Sequence, residues 1–153
     1  MVIEDSEETS STRTVSETEL VKGFFRMADN TVYLGEWSKD KNYRSGYGKS
    51  WNVETCSKFE GRFKKDLPNG KGRIIHSDGQ VYEGTFLEGM ANGKGLYINS
   101  NGARYYGDWV NDKQNGYGEE IWPDCSVYVG QYEDGKKHGF GKFVWPDNTV
   151  YEG

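Results

Sequence analysis

Along residues 82–105, YEGTFLEGMANGKGLYINSNGARY, apolar and polar positions alternate in two short bursts. In the first, Tyr82, Gly84 and Phe86 alternate with Glu83 and Thr85; in the second, Gly93, Gly95 and Tyr97 alternate with Lys94, Leu96 and Ile98. A period of two puts one set of side chains on one face of a β-strand, so each burst predicts a strand and the pair predicts a hairpin. Asn before glycine is expected to close the first loop, at Asn69, Asn92 and Asn115, with Ser45 and His138 in the same slot elsewhere. A second turn signal joins one hairpin to the next: Asp78-Gly79, Asn101-Gly102, and the related Asp29-Asn30, Pro123-Asp124-Cys125 and Pro146-Asp147-Asn148. No stretch of residues 20–153 keeps an apolar spacing of 3.6, and each glycine would cost a helix about 1 kcal/mol. The pattern predicts strands throughout.

The unit repeats. Its first aromatic recurs as Tyr33, Phe59, Tyr82, Tyr105, Tyr128 and Tyr151, the last four 23 residues apart. A glycine follows two places on at Gly35, Gly61, Gly84, Gly107, Gly130 and Gly153, then a second aromatic at Trp37, Phe63, Phe86, Trp109 and Tyr132. The Gly-x-Gly pairs are Gly46/Gly48, Gly70/Gly72, Gly93/Gly95, Gly116/Gly118 and Gly139/Gly141, so the columns absorb most of the 21 glycines. The array divides into a half repeat at 20–32, units starting near 33, 59, 82, 105 and 128, and a truncated unit at 151–153. The first full unit is irregular, with KDKNYRS lengthening its first loop and WNVETCSK replacing the usual turn.

These elements predict an all-β fold: an elongated, twisted, single-layer antiparallel sheet of consecutive hairpins. Eleven or so strands of five to seven residues, spaced about 4.8 Å, would span on the order of 50 Å. Glycine leaves the pleat bare, and a ring from an adjoining strand can lie flat over it. Burying most of one ring at ~25 cal/mol per Å² offsets what glycine costs in strand entropy.

Composition agrees with a thin structure. Only 34% of the 153 residues are hydrophobic and 15% are aromatic, lean for a central core. The net charge of -5 comes almost wholly from residues 1–19, where Glu4, Asp5, Glu7, Glu8, Glu17 and Glu19 face only Arg13. That acidic Ser/Thr-rich segment is predicted to be a disordered tail, and its hydroxyls beside acids suit phosphorylation less well than simple solubilisation. The rest balances acid against base, which excludes the basic surface that nucleic acid requires. No run is apolar enough to cross a bilayer as a helix, and no secretory leader follows Met1, which points to the cytoplasm. Cys56 and Cys125 fall in turns three units apart, too far for a disulfide, and are expected as free thiols.

Chemistry-bearing patterns are missing. His76 and His138 fit turns, no His/Cys cluster has metal-ligand spacing, and no nucleophile elbow is present. Gly-Lys-Gly at 70–72 and 93–95 lacks the following helix that a phosphate cradle needs. The expectation is a protein that is not an enzyme and carries no cofactor. Two surfaces stand out as binding candidates. The aromatic rows Tyr33, Trp37, Tyr82, Phe86, Tyr105, Trp109, Tyr128 and Tyr132 are candidates for a groove that receives a partner's helix or extended segment, against the plainer reading that they only pack on glycine. The loop lysines Lys64, Lys65, Lys136 and Lys137 are candidates for an anionic leaflet, against the reading of a solvated loop with interspersed acids.

With Asn or His before Gly-x-Gly and a Pro-Asp turn closing each unit, the pattern Tyr-x-Gly-x-(Trp/Phe/Tyr) resembles the MORN repeat, over residues 20–153. Departures are the stretched first unit, Cys125 where glycine is common, and the stop at Gly153, which fits a fragment or a last strand completed by another chain. The resemblance implies a hairpin sheet used for binding and assembly, as in radial spoke head components, junctophilins, protist cytoskeletal scaffolds and plant phosphatidylinositol-phosphate kinases. The first expectation is therefore a non-enzymatic protein-binding scaffold in a cytoskeletal or ciliary assembly. Its rivals are a peripheral module for anionic phospholipid and the regulatory segment of a larger enzyme such as a lipid kinase. Open edge strands add an expectation of self-association or a tight partner.

Overall fold

The computed structural model describes residues 21–40 and 42–153; the segment expected to be a disordered tail, 1–19, lies outside them. Twelve strands follow one another: β1 (Val21–Arg26), β2 (Thr31–Trp37), β3 (Arg44–Asn52), β4 (Lys58–Lys64), β5 (Leu67–Ile75), β6 (Val81–Leu87), β7 (Met90–Ile98), β8 (Arg104–Val110), β9 (Lys113–Ile121), β10 (Val127–Glu133), β11 (Lys136–Val144) and β12 (Val150–Glu152). They form one sheet in the order of the chain. Every neighbouring pair is antiparallel. No helix occurs among the described residues.

The register explains the glycine columns. Gly23, Gly35, Gly48, Gly61, Gly72, Gly84, Gly95, Gly107, Gly118, Gly130 and Gly141 pair in succession, so a file of bare backbone crosses the sheet perpendicular to its strands. Each first aromatic folds down onto this file. A Cβ at Gly84 would stand 2.6 Å from the Gly95 Cα and 2.7 Å from the Tyr82 hydroxyl oxygen, closer than such contacts allow. The hydroxyls of Tyr33, Tyr82, Tyr105 and Tyr128 donate to the carbonyl oxygens of Glu36, Thr85, Asp108 and Gln131 at 2.8, 3.0, 3.0 and 3.1 Å. Those four residues sit where the register slips within each hairpin.

That slip corrects the expected turn position. Asn-Gly does not close the first loop; it lies inside the second strand, where the first glycine of Gly-x-Gly forms a bulge at φ +98° for Gly70, +89° for Gly93 and +111° for Gly116. The chain turns earlier, at the two-residue loops Lys65-Asp66, Glu88-Gly89, Asn111-Asp112 and Asp134-Gly135. All of these have positive φ at both positions, the geometry that matches strand twist. The second strands are consequently nine residues long, two more than expected. Asparagine before the bulge serves the following hairpin instead. Asn69 Oδ1 accepts from the Glu88 N–H at 3.3 Å, and Asn92 Nδ2 donates to Asn111 Oδ1 at 3.1 Å.

Turns between hairpins fall where expected. Asp29, Asp78, Asn101, Asp124 and Asp147 each accept, through Oδ1, the backbone N–H two residues on. The residue between takes positive φ, as at Asn30, Gly79, Gly102, Cys125 and Asn148.

The second aromatics complete the packing. From Phe25 to Trp37, Tyr33, Phe63, Phe59, Phe86, Tyr82, Trp109, Tyr105, Tyr132 and Tyr128, each ring meets the next edge to face at 4.8–5.4 Å. This zigzag is the core of a sheet with no second layer. Such ring pairs add roughly 0.5–1.5 kcal/mol each beyond the area they bury.

Candidate functional site

The two faces of the sheet differ sharply. On one lie the rings proposed from the sequence as a groove, and all eight are buried: Tyr33 at 0% exposure, Trp109 at 8%, the other six between. Their surface is taken up by glycine backbone and by each other, which corrects the expectation of an open aromatic row. Burial pushes the hydroxyl pKa of Tyr33, Tyr82 and Tyr105 up to about 12. Tyr132 is raised as well, by burial first and then by the carboxylate of Glu120.

Two cations of the chain also enter this face. The Arg44 guanidinium lies 5.6 Å from the Tyr33 ring centroid and 5.1 Å from that of Phe63. Its Nε stands 3.3 Å from Asp66 Oδ1, and a terminal nitrogen donates to the Asp66 carbonyl at 2.8 Å. Lys137 Nζ sits 4.8, 4.9 and 5.6 Å from the rings of Trp122, Tyr128 and Tyr132 and bonds to Glu120 at 2.6 Å. Of the four lysines proposed for an anionic leaflet, Lys137 is thus already engaged by the protein's own rings and acid. Lys64, Lys65 and Lys136 are exposed on the same hairpin edge.

The opposite face holds what the sequence reading passed over. One cross-strand row runs Val32, Trp51, Lys58, Ile75, Val81, Ile98, Arg104, Ile121, Val127, Val144 and Val150. Beside it charges alternate in pairs, Lys49 with Glu60 at 3.1 Å, Arg73 with Glu83 at 3.6 Å and Lys142 with Glu152 at 3.1 Å. Exposed pairs of this kind contribute little stability. Apolar side chains on this face remain open in two patches. Leu34, Tyr47 and Trp51 form one, next to a depression of about 300 Å³ walled by Val32, Leu34, Trp51 and Ile75. Tyr106, Tyr117 and Phe140 form the other, Phe140 at 71% exposure. The signal for Tyr47, Tyr117 and Phe140 was the middle position of Gly-x-Gly, and for Leu34 and Tyr106 the position between first aromatic and glycine, both of which alternation sends away from the rings.

Among the described residues, no group of three or more His, Cys, Asp or Glu could hold a metal ion. Cys56 and Cys125 are free and exposed in turns. His138 Nε2 lies 3.2 Å from Glu133 on the surface. No helix among the described residues is long and apolar enough to cross a membrane.

The MORN repeat family matches at residues 59–81, 82–104, 105–124 and 128–150, more than half of the chain. This chain belongs to the MORN repeat family. Its MORN units supply the ring, glycine and turn columns described above. No curated protein matches the sequence. Among solved structures, the chain resembles the SAS-4 (dCPAP) TCP domain of Drosophila melanogaster, solved in complex with a proline-rich motif of Ana2 (dSTIL). The TM-score is 0.47 at 14% identity, over 86% of this chain and 88% of that one. MORN repeats of this kind make a repeat-based binding scaffold.

Proposed function

We propose that this MORN array is a non-enzymatic scaffold that docks another protein in a cytoskeletal or ciliary assembly, and that it does so through the face opposite its rings. The carrying observation is the division of apolar surface: the eight rings are buried on their own face, while Tyr106, Tyr117 and Phe140 on the other face stand more than half exposed. Exposed aromatic side chains clustered on a rigid sheet supply the anchors that protein interfaces use. A segment lying across strands would meet apolar patches at both ends and alternating charges between them.

Capture of partners by the intact protein from a ciliated cell extract tests this, with Tyr117→Lys plus Phe140→Lys, and Trp51→Lys, as comparisons. Partners held by the wild type and lost by either variant, with far-UV circular dichroism unchanged, support the reading. A partner set indifferent to both variants overturns it. Flotation with phosphoinositide liposomes decides against the lipid rival: salt-sensitive capture, lost when Lys64, Lys65 and Lys136 become Glu, would transfer the function to membranes.

A further inference from the structure

The hairpin turns of the array stitch back to the preceding unit, and at two of them the stitch is identical. Asp66 Oδ1 accepts the Arg44 N–H at 2.8 Å while the Asp66 N–H donates to the Arg44 carbonyl at 3.1 Å. Two units along, Asp112 Oδ1 accepts the Ala91 N–H at 2.6 Å and its N–H donates to the Ala91 carbonyl at 3.0 Å. The rings match too: Tyr33 meets Phe63 at 5.2 Å and Tyr82 meets Trp109 at 5.2 Å, both edge to face. The turn between these two places Gly89 against Pro68, and the turn after them places Gly135 against Gln114, with no acid at the corresponding position.

The side chain facing the acid differs, and Trp109 stands where the first site has Phe63. In the first unit it is Arg44, whose guanidinium fills the space between two rings and a carboxylate. In the second it is the methyl group of Ala91. There the space is an open cavity of about 530 Å³, bounded by Tyr82, Phe86, Tyr97, Trp109 and Asp112. No cation of the described residues stands within 4 Å of the Asp112 carboxylate. Burial raises both tyrosine hydroxyls, yet Arg44 lowers that of Tyr33 whereas Asp112 raises that of Tyr82.

We propose that the cavity beside Ala91 and Asp112 is a guanidinium site that takes an arginine side chain from a protein partner, held as the protein holds its own Arg44. A planar guanidinium bonds a carboxylate and lies on aromatic faces at once, which suits this combination of walls. That a protein partner supplies the arginine rests on the scaffold reading, as a second contact made on the ring face; the site itself does not.

The test follows the Trp109 indole N–H by NMR as Nα-acetyl-arginine amide is added to the whole chain, with Nα-acetyl-citrulline amide as the uncharged isostere. The expected result is a saturating shift with arginine, about tenfold weaker in Asp112→Asn by loss of a charged hydrogen bond, and little with citrulline. Ala91→Arg should abolish the shift and raise the melting temperature, because the chain then fills its own site. Equal response to citrulline, or Asp112→Asn binding as tightly as wild type, overturns the proposal. Should Ala91→Arg fail to fold, those two arms still decide. The small probe needs no partner, so its failure is distinct from failure of the capture experiment on the opposite face.

Discussion

Trp109 donates its indole N–H to the Gly95 carbonyl at 3.1 Å, tying β8 to the glycine file one strand back. Trp37 occupies the same column with its N–H equally buried, and no partner meets it. Trp109→Phe is therefore expected to cost about 1–2 kcal/mol more than Trp37→Phe, since one substitution breaks a buried bond and the other removes an unsatisfied donor. Urea midpoints of the two variants compare them; equal losses would refute the assignment.

The glycine file admits no side chain. Gly84→Ala would drive a Cβ to 2.6 Å from the Gly95 Cα, backbone that cannot step aside, and should destabilise by about 3 kcal/mol. Gly79→Ala, with nothing within 4 Å of the added atom but a φ of +86°, should cost only the strain of that conformation, about 1 kcal/mol. Thermal melts that rank Gly79→Ala as the worse variant would contradict the packing described.

Phe59 is the one first aromatic of the five full units without a hydroxyl. Where Tyr82 and Tyr105 donate to the carbonyls of Thr85 and Asp108, the Arg62 carbonyl in the Phe59 unit receives no such bond from the ring. Phe59→Tyr should stabilise by about 1 kcal/mol, the net value of one added hydrogen bond, and Tyr105→Phe should lose a similar amount. A Phe59→Tyr variant with a lower denaturation midpoint would show that the ring cannot reach as its neighbours do.

Alkali should loosen the array earlier than it affects a sheet with exposed tyrosines. The hydroxyls of Tyr33, Tyr82 and Tyr105 titrate near 12 in the folded protein and near 10 once unfolded. The folded state thus holds protons that the unfolded state releases between these values. Their contribution is complete below pH 10 and is lost as pH rises from 10 to 12. Denaturation midpoints measured across that range, together with tyrosinate absorbance, check the sign; a midpoint that rose with pH would reverse it.

Much of the fold was legible because the columns repeat. Tyr82, Gly84 and Phe86 announce a strand by alternation, and their recurrence leaves a pleated sheet of hairpins as the arrangement that pairs each copy only with its neighbours. The turn at Asp78-Gly79 was equally plain. The turn near Gly93 was not: Asn92-Gly93 is a strong hairpin signal, yet Glu88-Gly89 makes the loop while Gly93 becomes a bulge. Both sites offer positive φ at low cost, and which one reverses the chain depends on strand pairing that a local signal does not contain.

Sequence alone determined the periodic elements, the absence of helical spacing and the pairing of rings with bare backbone, since these follow from side-chain period and from the missing Cβ of glycine. Tertiary structure decided which surface is closed. Only when the hairpins are in register do Tyr33 and Trp109 vanish into an edge-to-face chain, Phe140 and Tyr117 stand out on the other side, and Lys137 lie over the ring of Trp122. Exposure is set by what neighbouring strands place beside a residue, and that placement exists only once the sheet is assembled.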